Sequence, residues 1–148
     1  MKHRPEYSIV IPAYNEEARL ADPLLETLFY LRRRSNEFEI LVVDDGSQDD
    51  TANVARGISE EFPEVRLLRL PANRGKGFAV RTGVMNSVGR FVLFADADGA
   101  TPIEDVKRLR ARIEAGADVA IGSRELGDGE VEVETRVHRK LMGRVFHG

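Results

Sequence analysis

The sequence predicts one doubly wound α/β domain, a mostly parallel sheet with helices on both faces, and three observations carry that prediction. Five short apolar runs rich in β-branched residues recur at Tyr7–Ile11, Phe38–Val43, Val65–Leu70, Phe91–Ala95 and Ala117–Ile121. Near-continuous hydrophobicity of this kind suits strands buried on both faces of a parallel sheet. Stretches with helical spacing separate the runs, which implies βαβ units with right-handed crossovers. Polar clusters follow four of the runs directly, at the edge where open α/β sheets bind ligands.

Each element has its own local reason. After the first run, Asp22 and Pro23 are expected as N-cap and first helical residue, with Leu24, Leu28 and Leu31 recurring on one face and Glu16–Ala21 left outside as a turn. After the second, Asp49 or Asp50 can cap a helix whose apolar face is Val54, Ile58 and Phe62, and Pro63 ends it. After the fourth, Thr101-Pro102-Ile103-Glu104 reads as a capping box with proline at the first helical position, and Val106, Leu109 and Ile113 continue the stripe to Gly116.

The chain changes character after residue 124. Glu125, Asp128, Glu130, Glu132 and Glu134 form an acidic, glycine-containing stretch without core periodicity, expected to be a loop. From Thr135 the sign flips. Arg136, Arg139, Lys140 and Arg144 project on one side of a helix, with Val137, Leu141, Met142, Val145 and Phe146 on the other. Such a basic amphipathic helix either grips phosphate at a membrane surface or packs its apolar side on the core.

Composition narrows the class. With 148 residues, 42% of them hydrophobic and 32% charged, the chain has the size and balance of one globular domain with a true core. No apolar stretch approaches the roughly 20 residues of a bilayer span, and the amino-terminal residues lack a signal-peptide core, so the expected compartment is the cytoplasm. The absence of cysteine excludes disulfides and thiolate metal sites. A net charge of −3 argues against a nucleic-acid partner held by a general basic field. His3, His138 and His147 are scattered and expected at the surface.

Chemistry concentrates in the polar clusters. The run Phe91–Ala95 ends in Asp96 and Asp98, two carboxylates one residue apart that each raise the other's cost of ionisation. A hard divalent cation would relieve that cost and carry phosphates on its open positions; the plainer alternative is a solvated acidic turn. Asp44-Asp45-Gly46-Ser47 offers a carboxylate to a base N–H or ribose hydroxyl, or else is a simple turn with glycine at positive φ. Asn73-Arg74-Gly75-Lys76-Gly77 could bring backbone N–H groups and Lys76 to phosphates at a helix start, although it is no Walker loop and two glycines also describe a flexible loop. Tyr14 could stack on a base or pack on the sheet edge.

Taken in order, Ser8-Ile9-Val10-Ile11-Pro12-Ala13-Tyr14-Asn15-Glu16, Val42-Val43-Asp44-Asp45-Gly46-Ser47 with Asp49 and Thr51, Asn73-x-Gly75-Lys76-Gly77 and Asp96-Ala97-Asp98 resemble the motif set of family-two glycosyltransferases with a GT-A fold. Asp-Ala-Asp-Gly-Ala-Thr followed by Gly122-Ser123-Arg124 resembles the dolichyl- or polyprenyl-phosphate sugar synthases, nearer the glucosyl than the mannosyl branch. The resemblance implies a nucleotide-sugar-binding core over 1–124 and the start of an acceptor region over 125–148. It implies that Pro12, Ala13, Tyr14 and Glu16 line the nucleotide pocket, Asp45 contacts the base, Asp96 and Ala97 lie along the ribose, and Asp98 ligates Mg2+ or Mn2+, with Asp96 as a further metal ligand and Lys76 as a neighbour of the nucleotide sugar. In the mannosyl branch a glutamine two residues beyond the last aspartate helps hold the metal; Ala100 stands there in this chain.

The donor implied is UDP-glucose first and GDP-mannose next, and the acceptor a lipid phosphate, reached by peripheral contact with the cytoplasmic face of a membrane. Arg124, Arg136 and Arg139 are the implied acceptor-phosphate residues. Relatives of that family continue past the position of Gly148, so the expectation is nucleotide-sugar binding by this chain, with lipid transfer dependent on further sequence, an oligomer or a partner. Two rivals are a nucleotide-sugar-binding module or scaffold without turnover, and a haloacid-dehalogenase-like phosphatase. The phosphatase wants Thr or Val where Ala100 stands, and its Asp-x-Asp usually follows the first strand rather than the fourth.

Overall fold

A computed structural model describes residues 4–34 and 37–122, together with the backbone of 131–134. The chain divides into two compact units, 1–101 and 102–148. The first unit is built on strands β1 (Tyr7–Ala13), β2 (Phe38–Asp44), β3 (Val65–Arg69) and β4 (Phe91–Phe94), alternating with helices α1 (Ala21–Arg32), α2 (Thr51–Glu61) and α3 (Lys76–Asn86). All strand pairs are parallel, in the order β3-β2-β1-β4. The register runs from Tyr7 opposite Phe38 and Phe91 to Ala13 opposite Asp44.

That order fixes where a ligand can sit. The connections through α1 and α2 step outward from β1 to β3, whereas the one through α3 returns to place β4 on the other side of β1. With right-handed crossovers, α3 therefore covers the sheet face opposite to α1 and α2. The strand order reverses between β1 and β4, and the carboxyl ends of the strands at such a switch point are the usual ligand position in open sheets. β1 and β2 are buried along their whole length, as the continuous apolar runs require. β4 departs from the expectation of burial on both faces: Val92 and Phe94 stand 43% and 56% exposed, because β4 is an edge of this four-stranded sheet.

The helices show which local signals held. α1 starts at Ala21, with Leu20 rather than Asp22 in the capping position, so the expected Asp22 cap is corrected. Leu20 is fully buried and lies one turn before Leu24, so the core pulls the helix start upstream along the apolar stripe. Pro23 still falls in the first turn, where its missing N–H has no partner to lose. α2 begins after Asp50, as expected. α3 crosses the sheet through Ala79 and Gly83; a Cβ on Gly83 would lie 2.3 Å from Val10 Cγ1, so only glycine permits the approach.

At the amino end of the sheet, Glu39 is almost fully buried. Its carboxylate accepts the Ser8 hydroxyl at 2.6 Å and the Val88 N–H at 2.8 Å and pairs with Arg66 at 2.8 Å. Each buried acceptor is thereby satisfied, and three strands are tied to the α3–β4 connection.

The second unit contains a 3₁₀ turn at Ile103–Asp105, helix α4 (Val106–Glu114) and an antiparallel pair, β5 (Val119–Gly122) with β6 (Val131–Glu134). Two expectations are corrected here. Thr101 makes no capping bond; Pro102 precedes the 3₁₀ turn and α4 starts only at Val106. The fifth strand forms but pairs antiparallel with β6, so part of the acidic stretch read as a loop is a strand, its alternating Val131, Glu132, Val133 and Glu134 having the strand period of two. Gly116, at φ +110, ends α4 as expected. Among the described residues no helix is long and apolar enough to cross a membrane.

Candidate donor-binding site

The first unit brings four loops to one rim. β1 ends in Pro12 and Ala13, both buried, and delivers the exposed Tyr14 beyond the sheet. Asn15 follows at φ +51, a left-handed turn that asparagine tolerates. Its N–H donates to Ser47 Oγ at 2.9 Å, while Gln48 N–H donates to Asn15 Oδ1 at 3.1 Å. Glu16 N–H donates to Thr51 Oγ1 at 2.8 Å, and Asp50 N–H to Glu17 Oε2 at 2.8 Å. The β1–α1 and β2–α2 loops are thus laced together by the polar residues of both motifs. The Glu16 carboxylate is held by Arg19, Nε to Oε2 at 2.8 Å and Nη2 to Oε1 at 3.0 Å.

Asp49 anchors this lacing, and its ionisation reflects it. Desolvation by burial alone would push its carboxyl up, but hydrogen bonds from the Thr51 hydroxyl and N–H and from the Glu17 N–H outweigh it and hold the group below the usual aspartate range. A depressed carboxyl stabilises the fold above its unfolded pKa, near about 4, and that stability is lost as pH falls through the lower folded value. Urea midpoints are therefore expected to fall more steeply between pH 5 and pH 3 in the wild type than in Asp49→Asn; parallel pH profiles would refute the anchoring role.

The two aspartates at the end of β2, Asp44 within it and Asp45 just past it, divide the neighbouring work. Asp44 is fully buried; its Oδ1 accepts the Ser47 N–H at 3.2 Å and its Oδ2 meets Arg69 Nε at 3.2 Å. Asp45, also buried, accepts the Arg74 N–H on Oδ1 and the Gly75 N–H on Oδ2, each at 2.8 Å. It therefore clamps the loop that leads into α3. Between these loops lies an open cleft of about 590 Å³, lined by Tyr14, Gly46, Ser47, Arg69, Pro71 and Asn73, a size that suits a small-molecule ligand.

Beyond β4, Asp96 and Asp98 sit on a tight turn. Ala97 between them is buried, Gly99 takes φ +69, and Asp98 Oδ1 accepts the Ala100 N–H at 3.0 Å. Asp96 forms an ion pair with Lys76, the first residue of α3. Sequence reasoning thus placed Tyr14, Asp45, Lys76, Asp96 and Asp98 on the rim, and the structure joins Lys76 to Asp96 directly. It missed Arg69, which reads as a strand residue; its charge at the carboxyl end of an apolar run was the available signal. Arg124, Arg136 and Arg139, the helix expected from Thr135 and the three histidines lie outside the described residues.

Comparison with known proteins gives this rim its context. The chain is 41% identical to a dolichyl-phosphate beta-glucosyltransferase of Drosophila melanogaster and 37% identical to that of Homo sapiens, each over 96% of this chain and 48% of the relative. It therefore spans about half the length of the curated relatives it matches. Among solved structures it resembles the mannosyltransferase PcManGT of Pyrobaculum calidifontis, solved with GDP-Man and Mn2+, with a TM-score of 0.59 and 30% identity over 72% of this chain and 31% of that one. The parallel sheet with its flanking helices matches that of GT-A neighbours. The model of glycosyl transferase family 2 matches residues 8–147, from within β1 through all four motif clusters, and the chain accordingly belongs to the family 2 glycosyl transferases.

Proposed function

We propose that the chain is the donor-binding part of an inverting glycosyltransferase that moves glucose from UDP-glucose to a dolichyl or polyprenyl phosphate. The observation that carries this reading is the pair Asp96–Asp98 at the β1/β4 switch point, beside the start of α3 and on the same rim as the Tyr14–Arg69 cleft. Support for the sugar and acceptor comes from the two glucosyltransferase relatives; GDP-mannose is the next donor, as in the bound state of PcManGT. Tyr14 and Asp45 then belong to the base side, with Pro12, Ala13 and Glu16 shaping the pocket wall, and Asp96 and Ala97 to the ribose side.

A divalent cation fits the residues present. Asp96 and Asp98 are hard oxygen donors, and one Asp98 oxygen is turned to the Ala100 N–H. Mg2+ keeps several waters and is commonly held by one or two carboxylates plus substrate phosphates, a ligand set to which Asp96 and Asp98 can contribute. Asp98 would hold the ion and Asp96 assist. Once bound, the ion supplies neutralisation of charge developing on the departing nucleoside diphosphate.

The remaining chemistry follows from the substrates' charges. A lipid phosphate is already an anionic nucleophile, so attack on the anomeric carbon needs no general base from the protein. The chain's task is to hold the donor and orient the acceptor for displacement with inversion. Arg124, Arg136 and Arg139 are proposed to grip acceptor phosphate oxygens, since a guanidinium fork fixes a line of attack better than a point charge. In this reading residues 1–124 form the donor core and 125–148 begin the acceptor region at the cytoplasmic face of a membrane.

Calorimetric titration of the chain with UDP-glucose, GDP-mannose and other sugar nucleotides, with and without Mn2+ or Mg2+, tests family role, base and metal together. Binding is expected to be metal-dependent and strongest for UDP-glucose. Absence of binding by every member of the panel would overturn the reading.

A further inference from the structure

We propose that Lys76 is a resident counter-cation of the aspartate pair, which a divalent ion must displace from Asp96 and which the displaced side chain then repays to the donor's diphosphate. The inference rests on the metal reading of Asp96 and Asp98 given above. Two carboxylates one residue apart repel each other, and the ammonium of Lys76 neutralises one of them in the structure. It does so across the sheet rim, from the first residue of α3 to the loop after β4.

The pair is built to be exchanged. The Lys76 side chain is 61% exposed and that of Asp96 39% exposed, so solvent screens the attraction and the bond is weak. A divalent ion brings twice the charge and can engage both carboxylates, so it wins Asp96. The freed ammonium belongs to the first residue of α3, whose first turn carries no acidic residue of its own. A helix start and a lysine together suit phosphate oxygens. Metal and nucleotide binding are therefore coupled: a diphosphate that engages Lys76 removes the metal's competitor, and by linkage the metal raises affinity for the diphosphate.

Mn2+ titrations of the full chain followed by electron paramagnetic resonance, first without nucleotide and then with UDP, test this without reference to turnover. Lys76→Met is expected to bind Mn2+ about two- to fivefold tighter than wild type when no nucleotide is present, the strength of an exposed ion pair. UDP should tighten Mn2+ binding in wild type more than in Lys76→Met. Arg74→Met removes an equal charge two residues away, from a guanidinium stacked 4.5 Å over Phe78 rather than set on Asp96, and should shift Mn2+ affinity less. An unchanged or weakened Mn2+ affinity in Lys76→Met, or an equal gain in Arg74→Met, would overturn the proposal. Equal binding by wild type and Lys76→Met overturns this exchange alone, whereas no Mn2+ binding by either overturns the metal reading as well.

Discussion

Asp98→Ala is expected to abolish metal-dependent donor binding while leaving the fold intact, with a loss on the order of a hundredfold in affinity for UDP-glucose in the presence of Mn2+. The fold is expected to survive because Asp98 is exposed and its hydrogen bond is local, from the Ala100 N–H on the same turn. Losing one exposed acceptor costs the chain little, since water replaces it. The ligand loss is large because Ala100 offers no side-chain oxygen where a second ligand could have stood, so Asp98 has no understudy beyond Asp96. Asp96 in turn is paired with Lys76. Calorimetry at saturating Mn2+, with circular dichroism as the folding control, reads both halves of the expectation. Unaltered Mn2+-dependent binding by a folded Asp98→Ala would sink the metal assignment.

The parts of this architecture written most legibly in the sequence are those that rest on one-dimensional periodicity. β1 and β2 are buried on both faces and therefore appear as apolar runs broken only by Ser8 in the first and by Glu39 and the terminal Asp44 in the second. α3 is different, because it meets the sheet through Ala79 and Gly83 rather than through a stripe of large side chains. Small residues at a close crossing leave no hydrophobic period to read. β6, and with it the antiparallel pairing of β5, was obscured for a related reason: a two-stranded ribbon needs only alternation over four residues, and the Val-Glu repeat of 131–134 looks first like an acidic run.

Within the site, sequence reveals residue type and order but not which atoms are already occupied. Asp45 was legible as a carboxylate past a strand, yet both its oxygens hold backbone N–H groups of the β3–α3 loop. Ser47, Asp49 and Thr51 belong to the same motif and spend their side chains on the β1–α1 loop and on one another. Such long-range polar pairing spans about thirty residues of chain, so no local spacing encodes it. The motif is thereby a loop-fastening device, which explains why so many polar residues cluster at one end of the sheet.

That fastening sets up the second large effect. Gly46→Ala is expected to destabilise the chain by about 3 kcal/mol and to weaken UDP binding about tenfold, combining left-handed strain with a forced backbone shift. Gly46 has φ +70, and a Cβ there would lie 2.5 Å from the Ala72 carbonyl carbon and 2.7 Å from Asn73 N. Neither obstacle is a side chain that can swing aside. Relief requires moving Ala72–Asn73 outward, and the next two residues are the ones Asp45 clamps at 2.8 Å. One methyl group would therefore widen the cleft and strain its clamp together. Gly57, inside α2 with nothing within 4 Å of the added atom, supplies the opposite sign: the same substitution there should stabilise by about 0.5–1 kcal/mol, because alanine loses less entropy in a helix. Urea midpoints for the two variants, with UDP calorimetry on each, separate a crowded rim from a generic response to alanine. If Gly46→Ala matched Gly57→Ala in stability and nucleotide affinity, the close approach of the β2–α2 and β3–α3 loops would not be what shapes the cleft.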